Sequence, residues 1–533
     1  MGKHLLFLAA CFLFLAGPSL PAGGQTGVDP LAPARVEQSL AGLSAEGVLS
    51  EAAIPPSGET EIHILLRFRA PAAGKTARRP PLSLALVLDR SGSMADAGKL
   101  DYAVRAGKEA VRLLGPRDKL AIVQYDTTVQ VLSPLAPVTD KAALNRLLDS
   151  LTPGDYTFLS GGLQAGINQL RKAGDDSGKR VLLLSDGLAN RGLTEAKKVA
   201  AMGASAKDRN ISVSTLGLGL DYDENMLQLL AQRGGGQYSY IRDSEDLPAF
   251  FRQELSLAAE SATRGLRLIF LPDPALGDIK CYGYATSPAA KGLIVEMGDL
   301  QAGEERQVLL RARVRPGSGP AQVLGTASLA FALADDSAGG LQTLELPLIV
   351  AVVADEEERK AQNAALEAVT SPVREEALFL AAEEARVRAV EELQQGNLKE
   401  AGAVLAKVAA ILAAAPAAGP KIANAKAALA ADAEMLAEAA AKPELRQEMA
   451  KQNKYSLYTS SQGKSQTLFL QPGDKGALVE KLQRLLTAKG LYNGPADGLY
   501  SDDLAKAVRA FQSREGLAVD GIAGQNTLRA LGM

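Results

Sequence analysis

The sequence is poor in the side chains on which zinc sites and many hydrolases depend. It contains only two cysteines and two histidines in 533 residues. One of each, Cys11 and His4, lies in an apolar N-terminal stretch, which leaves Cys281 and His63 in the rest of the chain. A disulfide within that remainder would need a second cysteine, and a zinc site would need several His or Cys ligands. Both are therefore excluded there.

A histidine-dependent hydrolase mechanism would have to use His63. This residue lies in "ETEIHILLRFR", where apolar residues at Ile62, Ile64 and Leu66 alternate with polar or partly polar positions. The pattern predicts a strand with His63 on the face opposite the apolar residues. It favours a solvated strand histidine over a catalytic one.

An excess of charge of one sign is also lacking, because the formal net charge at pH 7 is −3. Basic residues do not cluster as they would along a nucleic acid or an anionic membrane. We therefore expect no nucleic-acid partner. After the N-terminus, no apolar run is long enough for a membrane-spanning helix.

Residues 1–24 have the order of features that is typical of a secretory signal peptide. Lys3 and His4 precede the apolar run "LLFLAACFLFLAG", and small residues follow in "PSLPAGGQTG". This pattern predicts a secreted chain in the periplasm or cell envelope, with no transmembrane segment after cleavage. Cys11 ends "LAAC", which faintly resembles a lipoprotein box. The apolar run continues beyond it, and this disfavours lipidation.

A chain of 533 residues is too long for one hydrophobic core, so several domains are expected. Between residues 82 and 258, apolar strands alternate with amphipathic helices, which predicts a Rossmann-like α/β domain with a mostly parallel sheet. Residues 259–354 read as strands separated by turns and predict a small antiparallel β-sandwich. The N-terminal region 25–81 contains a strand at 61–69 that is expected to join this sandwich, so that the α/β domain is inserted into it.

Helix-forming residues dominate residues 355–452. Within them, "EEARVRAVEELQQGNLKEAGAVLAKVAAIL" predicts one helical hairpin with a turn at "QQGN", which we interpret as packed helices or a spacer. The polar stretch 453–470 predicts a linker. Residues 471–533 have apolar positions at helical spacing and predict a small three-helix module. The chain as a whole is expected to be a multidomain α/β protein.

Three oxygen-rich loops are predicted at the carboxyl ends of the strands of the α/β domain: "LDRSGSM" after the first strand, "TPGDYTFLSGGL" with Thr157 just before a helix, and "LLLSDGLANRG", where Asp186 ends another strand. In such sheets, ligands bind where loops leave the carboxyl ends of parallel strands. Hydroxyl and carboxylate oxygens suit a hard cation of the Mg²⁺ type. The candidate ligands are Asp89, Ser91, Ser93, Thr157 and Asp186. Each loop alone can also be explained as a helix N-cap or a polar turn.

Together, these loops and the surrounding pattern resemble the von Willebrand factor type A family over residues 82–258. The stretch "STLGLGLDYDENMLQLLAQRGGGQYSYIRD" looks like the last strands and helices of its bacterial and inter-alpha-inhibitor-like members. The resemblance implies a metal-ion-dependent adhesion site on the five candidates. By this resemblance the hydroxyls bind the cation directly and the two carboxylates bind it directly or through water. It also implies reversible, cation-dependent protein binding without catalysis.

We expect Mg²⁺ as the cofactor, with Mn²⁺ and Ca²⁺ as alternatives. Two carboxylates and three hydroxyls leave a coordination position vacant, and a carboxylate from a partner protein would suit it. Specificity would then depend on the loops around the cation. Adjacency in the sequence indicates a set of rim residues: Arg90, Met94, Asp155, Tyr156, Phe158 and Asn190.

The C-terminal module contains an internal echo, because "PADGLYSDDLAKAV" and "AVDGIAGQNTLRAL" both place Asp-Gly before a helix. Gly498 and Gly521 suit tight turns. The module resembles the type-1 peptidoglycan-binding domain family, and the matching residues include Leu482-Gln483, Asp497-Gly498, Phe511-Gln512 and Asp520-Gly521. In the first copy, Ser501 and Leu504 stand where that family often has Gly and Thr. The resemblance implies peptidoglycan as a partner.

Most of the matching apolar residues are expected in the core of the module. Contact with glycan or stem peptide needs aromatic faces and hydrogen-bonding side chains on the surface. The exposed candidates for this contact are Tyr492, Asp497, Tyr500, Arg509, Gln512 and Asp520.

These features predict a non-catalytic cell-envelope protein that is anchored to peptidoglycan by its C-terminal module and binds a partner protein through the α/β domain. One alternative is an envelope assembly scaffold whose helical and β regions make the main contacts. Another is a cell-wall hydrolase that uses carboxylate chemistry. The hydrolase is disfavoured because no second domain carries a recognisable catalytic constellation.

Overall fold

The structure is a computed structural model that describes residues 34–71, 81–174, 177–242, 261–289, 292–333, 340–415, 419–463, 477–515 and 525–531, with isolated residues between these ranges. The predicted signal peptide at 1–24 lies outside the described residues. Within the described ranges, no helix is both long enough and apolar enough to cross a membrane.

The described residues form seventeen strands and thirteen helices, which are numbered in chain order. The strands are β1 (Arg35–Leu40), β2 (Leu43–Leu49), β3 (Ala53–Ile54), β4 (Thr60–Arg69), β5 (Leu82–Asp89), β6 (Lys119–Tyr125), β7 (Val129–Pro137), β8 (Gly178–Ser185), β9 (Ile211–Leu218), β10 (Gly235–Ile241), β11 (Ser261–Pro272), β12 (Leu276–Cys281), β13 (Thr286–Ala289), β14 (Gly292–Gln301), β15 (Glu305–Val314), β16 (Ala321–Leu333) and β17 (Gln342–Val352). The helices are α1 (Lys99–Leu113), α2 (Lys141–Asp149), α3 (Leu159–Leu170), α4 (Ala196–Lys207), α5 (Glu224–Arg233), α6 (Glu356–Ala365), α7 (Glu367–Gln394), α8 (Leu398–Ala414), α9 (Pro420–Ala441), α10 (Pro443–Ser461), α11 (Ala477–Ala488), α12 (Asp502–Arg514) and α13 (Gln525–Ala530).

The α/β domain is built on a six-stranded sheet in the order β10-β9-β8-β5-β6-β7. All neighbours run parallel except β7, which pairs antiparallel with β6 at the edge. Strand β5 is buried along its whole length. It is buried because α1 and α2 pack on one face of the sheet and α3, α4 and α5 pack on the other. The predicted Rossmann-like fold is confirmed, although β7 was not identified from the sequence.

Two further sheets form the β-sandwich, with strand orders β1-β2-β4-β15-β12 and β13-β14-β11-β16-β17-β3. Strand β4 pairs antiparallel with β15 over its ten residues, from Thr60 opposite Val314 to Arg69 opposite Glu305. The α/β domain is thus inserted between β4 and β11. The inward residues of both sheets share one core.

The sequence predicted that the outer face of β4, which carries His63, is open to solvent. In the structure this face is covered. Helix α7 covers it through an apolar cluster that includes Leu65, Leu309 and Val373. His63 is half-buried beside Tyr282, with ring centroids 6.5 Å apart. Burial lowers the pKa of His63. The expectation of a solvated histidine is therefore wrong, because the helical region packs on this sheet.

The sandwich touches the α/β domain at the amino ends of its parallel strands. Arg180, near the start of β8, lies 3.5 Å from the carboxylate of Asp299 on β14. Gly298 comes so close to the carbonyl oxygen of Gly235, at the start of β10, that a Cβ on it would lie 2.4 Å from that oxygen. Gly298 has a φ of +77°, which glycine adopts readily. The carboxyl ends of the strands therefore point away from the sandwich.

The helical region is larger than the predicted hairpin, since five helices, α6 to α10, follow the sandwich. The turn predicted at "QQGN" does separate α7 from α8. The linker predicted at 453–470 is wrong for residues 453–461, which form the last half of α10. Polar side chains in this half form hydrogen bonds with the backbone of the same helix. Thr459 Oγ1, for example, donates to the backbone carbonyl of Tyr455 at 3.0 Å. Residues 464–469 lie outside the described residues.

Helix α10 links the helical region to the other two domains. The hydroxyl of Tyr458 accepts a hydrogen bond of 3.2 Å from the backbone N–H of Tyr238 on the edge strand β10. The buried Lys451 ammonium donates to the carbonyl oxygen of Tyr222 at 2.7 Å and to Glu224 at 3.0 Å. On the sandwich side, the N–H of Gln307 donates to the carbonyl of Gln462 at 3.0 Å. These contacts explain why a segment of polar composition is ordered and buried.

Candidate metal centre and C-terminal module

The three oxygen-rich loops meet at the carboxyl edge of the parallel sheet, where β5, β6 and β8 end. Backbone hydrogen bonds join the first loop to the second: Gly92 N donates to Asp155 O at 2.9 Å and Gly154 N donates to Arg90 O at 2.6 Å. The second and third loops are joined by Thr157 N, which donates to Asn190 Oδ1 at 2.8 Å. The loops therefore form one connected surface.

The hydroxyl groups predicted as ligands converge on Asp186. Ser93 Oγ donates to Asp186 Oδ1 at 2.7 Å and lies 3.3 Å from Ser91 Oγ. Gly187 lies beside the same group: a Cβ on it would be 3.3 Å from Ser93 Oγ and 3.4 Å from Thr157 Oγ1. The absence of a side chain at Gly187 thus keeps a small space between two of the hydroxyls.

Asp89 lies beneath this group and is fully buried. Its Oδ1 accepts a hydrogen bond from Ser91 N at 2.8 Å, and its Oδ2 accepts from Ser185 Oγ at 2.9 Å and from Tyr125 OH at 3.1 Å. Burial raises the pKa of Asp89 to about 6. Because both oxygens are already held by protein donors, this carboxylate suits an indirect, water-bridged role near a cation.

Asp186 has a cationic partner that the sequence analysis did not anticipate. The Lys99 ammonium, at the start of α1, donates to Asp186 Oδ2 at 2.8 Å, and both side chains are largely buried. Asp186 Oδ1 remains directed to the serine side of the group. The lysine therefore neutralises one carboxylate without covering the hydroxyl oxygens.

The donor set fits a hard divalent cation. Hydroxyl and carboxylate oxygens are the ligands that Mg²⁺ accepts, usually with several retained waters. Within the described ranges, no three His, Cys, Asp or Glu side chains gather in a group that would hold a metal. A cation at this edge would therefore depend on the three hydroxyls and on no more than two carboxylates.

Several positioning residues could not be predicted from the sequence, because their role depends on contacts between loops. Tyr125 and Ser185 hold Asp89, and Asp126 holds the loops by pairing with Arg90 at 2.5 Å and accepting from Thr128 N at 2.7 Å. Their positions in the sequence did point to such a role, since Tyr125, Asp126 and Ser185 each lie at or directly after the last residue of β6 or β8.

Two of the six predicted rim residues lie largely below the surface. Met94 is fully buried, and Arg90 is mostly buried in its pair with Asp126. Asn190 orients Thr157 through its side-chain oxygen. Tyr156 is strongly exposed, as a contact residue would be.

The C-terminal module has its own core, and each of its two Asp-Gly turns is tied to a buried glutamine. Gln483 Oε1 accepts from Gly498 N, and Gln512 Oε1 accepts from Gly521 N, both at 2.9 Å. Gly498 and Gly521 have φ values of +73° and +78°, as the predicted tight turns require. The internal echo is therefore one turn construction used twice.

This construction removes three of the predicted peptidoglycan contacts from the surface. Tyr492, Tyr500 and Gln512 are buried, since their polar groups bond inside the module, as when Tyr500 OH donates to Gly521 O at 3.1 Å. Their prediction as exposed side chains is wrong. Asp497 and Arg509 are exposed, and Asp520 lies outside the described residues.

Comparison with known proteins follows the same division of the chain. Residues 83–253 match the family "von Willebrand factor type A domain", and residues 475–531 match the family described as "Putative peptidoglycan binding domain".

Relatives and solved structures resemble different parts of the chain. An uncharacterized protein of Synechocystis sp. is 27% identical over 314 residues, which are 56% of this chain and 72% of that protein. The N-acetylmuramoyl-L-alanine amidase CwlL of Bacillus licheniformis is 41% identical over 81 residues, 15% of this chain and 22% of that protein. A solved von Willebrand factor type A protein from Catenulispora acidiphila covers 79% of this chain and 96% of its own, at 18% identity and a TM-score of 0.59. Residues 83–253 thus form a von Willebrand factor type A domain, and residues 475–531 belong to the peptidoglycan-binding family.

Proposed function

We propose that this chain is a secreted cell-envelope protein that binds a partner protein through a divalent cation, with Mg²⁺ as the first candidate, and is held on peptidoglycan by its C-terminal module. The proposal is one of binding without catalysis. The observation that carries it is the convergence of Ser91, Ser93, Thr157 and Asp186 at the carboxyl edge, above the buried Asp89.

The adhesion half of the proposal rests on the geometry of this edge. Ser91, Ser93 and Thr157 would hold the cation through their hydroxyl oxygens, and Asp186 would hold it through Oδ1. When bound, the cation supplies a positive anchor with a free coordination position for a partner's carboxylate. Asp89, fixed by three hydrogen bonds, would orient the bound water and Ser91.

The anchoring half rests on the family of residues 475–531, which indicates association with the cell envelope. The likeness to a protein named as an N-acetylmuramoyl-L-alanine amidase supports the same place of action. The N-terminal pattern of residues 1–24 supports secretion.

Two measurements on the mature chain test these halves separately. Calorimetric titration with Mg²⁺ should show binding to one site, and Ser93→Ala should weaken it. Co-sedimentation with purified sacculi should be independent of chelator and should be lost when residues 464–533 are removed. The truncation removes only the hydrophobic core of the module, whose residues all lie at or after position 470. The hydrophobic cores of the other domains keep their residues.

Three results would contradict the proposal: no Mg²⁺ binding, Mg²⁺ binding that Ser93→Ala leaves unchanged, or sacculus binding that survives truncation. Release of soluble muropeptides from the sacculi would instead support the hydrolase alternative.

A further inference from the structure

Helix α8 is apolar on its exposed surface as well as on its buried one. Residues 401–415 read "AGAVLAKVAAILAAA", with Lys407 as the one charged residue. The side chains of α8 that are buried against its neighbours are those of Ala401, Leu405 and Leu412. A surface helix normally turns a polar face to water, and a helix that is apolar all round is normally covered. The sequence of α8 is therefore that of a helix with a further partner.

The exposure of large apolar side chains in the helical region is confined to this helix. Among the described residues of α6 to α10, the large apolar side chains that are strongly exposed are Leu398 at 42% and Ile411 at 48%. Both lie on α8. Such side chains mark a contact surface when they stand among other exposed apolar groups, as Ile411 does among alanines.

One face of α8 combines this apolar surface with two charges of opposite sign. Glu400, Val404, Lys407 and Ile411 are spaced by three or four residues, so they lie along one side of the helix. Glu400 and Lys407 are exposed, and neither forms an ion pair with another described residue. Seven residues of helix separate them by about 10 Å, which is too far for a pair within one helix. Both charges are therefore open to a partner.

An antiparallel pair of α8 helices would satisfy both charges at once. With a two-fold axis between positions 403 and 404, Glu400 of each copy faces Lys407 of the other. Ala403 lies beside this axis, and its small side chain lets the two helices approach closely. Ile411 then faces the turn at Gly396 of the second copy, where a Cβ would meet no atom within 4 Å. The face is thus complementary to itself in both charge and shape.

We propose that the mature chain forms a two-fold symmetric dimer through an antiparallel pair of α8 helices. The apolar side chains supply most of the contact, and the two Glu400–Lys407 pairs set its register. A lipid surface suits α8 less well, because membrane-binding helices carry a strongly basic face, and residues 398–415 contain two lysines and one glutamate. This inference is independent of the proposed function, since α8 belongs to neither the α/β domain nor the module.

Sedimentation equilibrium of the full mature chain tests the dimer directly. The unmodified chain should show a reversible equilibrium between one and two copies. Ile411→Glu places a charge inside the apolar contact and should weaken dimerisation at least about 100-fold. Because Ile411 is half exposed within a single copy, the variant should keep the thermal unfolding of the monomer unchanged.

Charge reversals test the register of the two helices. Glu400→Lys or Lys407→Glu alone replaces two attractive pairs by two repulsive ones and should weaken dimerisation about tenfold at low salt. The double variant restores opposite charges across the axis and should recover the original affinity. Lys399→Glu changes an exposed charge on a different face of α8 and is the matched control. It should alter dimerisation little.

Four outcomes would overturn the inference. They are a chain that stays monomeric at every concentration, a dimer that Ile411→Glu leaves intact, a double charge variant that does not recover, and a Lys399→Glu variant that weakens as much as Glu400→Lys. Vesicles of phosphatidylethanolamine and phosphatidylglycerol test the lipid alternative. Binding of a monomeric chain to them that Ile411→Glu abolishes would assign α8 to a membrane surface instead.

Discussion

The carboxyl edge of the α/β domain and the C-terminal module both carry polar residues that fit a family pattern, yet they use these residues in opposite ways. At the carboxyl edge, hydroxyls from separate loops gather around a small space beside Gly187. In the module, Gln483 and Gln512 turn inward and bind the backbone of the Asp-Gly turns. The residues of a family pattern therefore gather into a candidate site in one case and stabilise a tight turn in the other.

The difference follows from what each polar atom finds within reach. Ser93 Oγ has a carboxylate and another hydroxyl beside it, which is an arrangement that a cation can share. Gln483 divides its hydrogen bonds between the Asp497 carboxylate at 2.8 Å and the backbone of Gly498 and Leu499, and a buried amide with its partners supplied rigidifies the fold.

The largest effect is expected from Asp186→Asn, which removes one negative charge from the metal centre and keeps its shape. Mg²⁺ affinity should fall about 100-fold, because a charged oxygen ligand is replaced by a neutral one. Calorimetric titration measures this loss. Asp155→Asn makes the same charge change at an exposed position on the second loop and should alter affinity little. Equal losses in the two variants would mean that general charge, and not coordination, drives binding.

Gln483→Leu should break the module without affecting the metal centre. The change leaves the buried Gly498 N–H and the partly buried Leu499 C=O without their side-chain partner, at a cost of about 2 kcal/mol in the free energy of unfolding of the module. Hydrogen exchange of α11 and α12 and co-sedimentation with sacculi measure the outcome. Lys481→Leu, exposed on the same helix, is the control. Unchanged protection of α12 would show that the turn does not depend on this glutamine.

Lower pH should weaken Mg²⁺ binding through Asp89. Burial holds the pKa of this carboxyl at about 6, above its ordinary value of 3.8, so that the metal-free fold takes up a proton as pH falls through 6. Since the folded state binds this proton more tightly than the unfolded chain, acidification between about pH 6 and pH 4 stabilises the metal-free fold through Asp89. It also opposes the cation, and affinity should fall by up to about tenfold per pH unit below 6. Titrations at about pH 7.5 and pH 5 that give equal affinity would contradict this.

The smallest effect is expected from Tyr458→Phe, which removes the hydrogen bond between α10 and β10. One neutral hydrogen bond contributes about 1 kcal/mol, so the amide of Tyr238 should exchange about fivefold faster. Tyr156→Phe, on an exposed tyrosine, should not change that rate. Unchanged exchange in Tyr458→Phe would indicate that packing alone holds β10 at this edge.

Sequence patterns predicted the α/β domain because its strands and helices alternate with clear periods, and loops at the ends of parallel strands must share an edge. Asp89 and Asp186 were predicted to lie near each other for that reason. The ion pair of Lys99 could not be predicted, since it depends on how the first turn of α1 meets the third loop. Tyr500 and Gln512 were assigned to the surface because a sequence does not show which polar atoms find partners inside. Residues 453–461 of helix α10 were predicted as part of a linker because their partners, among them Tyr238, lie more than two hundred residues earlier.

The insertion of the α/β domain between β4 and β11 has a mechanical consequence. The sandwich touches the amino ends of the parallel strands, and the candidate metal centre lies at their carboxyl ends, about 25 Å away along the eight residues of β5. A force applied to a captured partner would run lengthwise along strands that are bonded to neighbours on both sides, and into two covalent connections at once. Shear of this kind loads many hydrogen bonds together, whereas a domain attached at one end could be unzipped one bond at a time. The insertion would therefore resist a pulling force on any partner bound at the candidate metal centre.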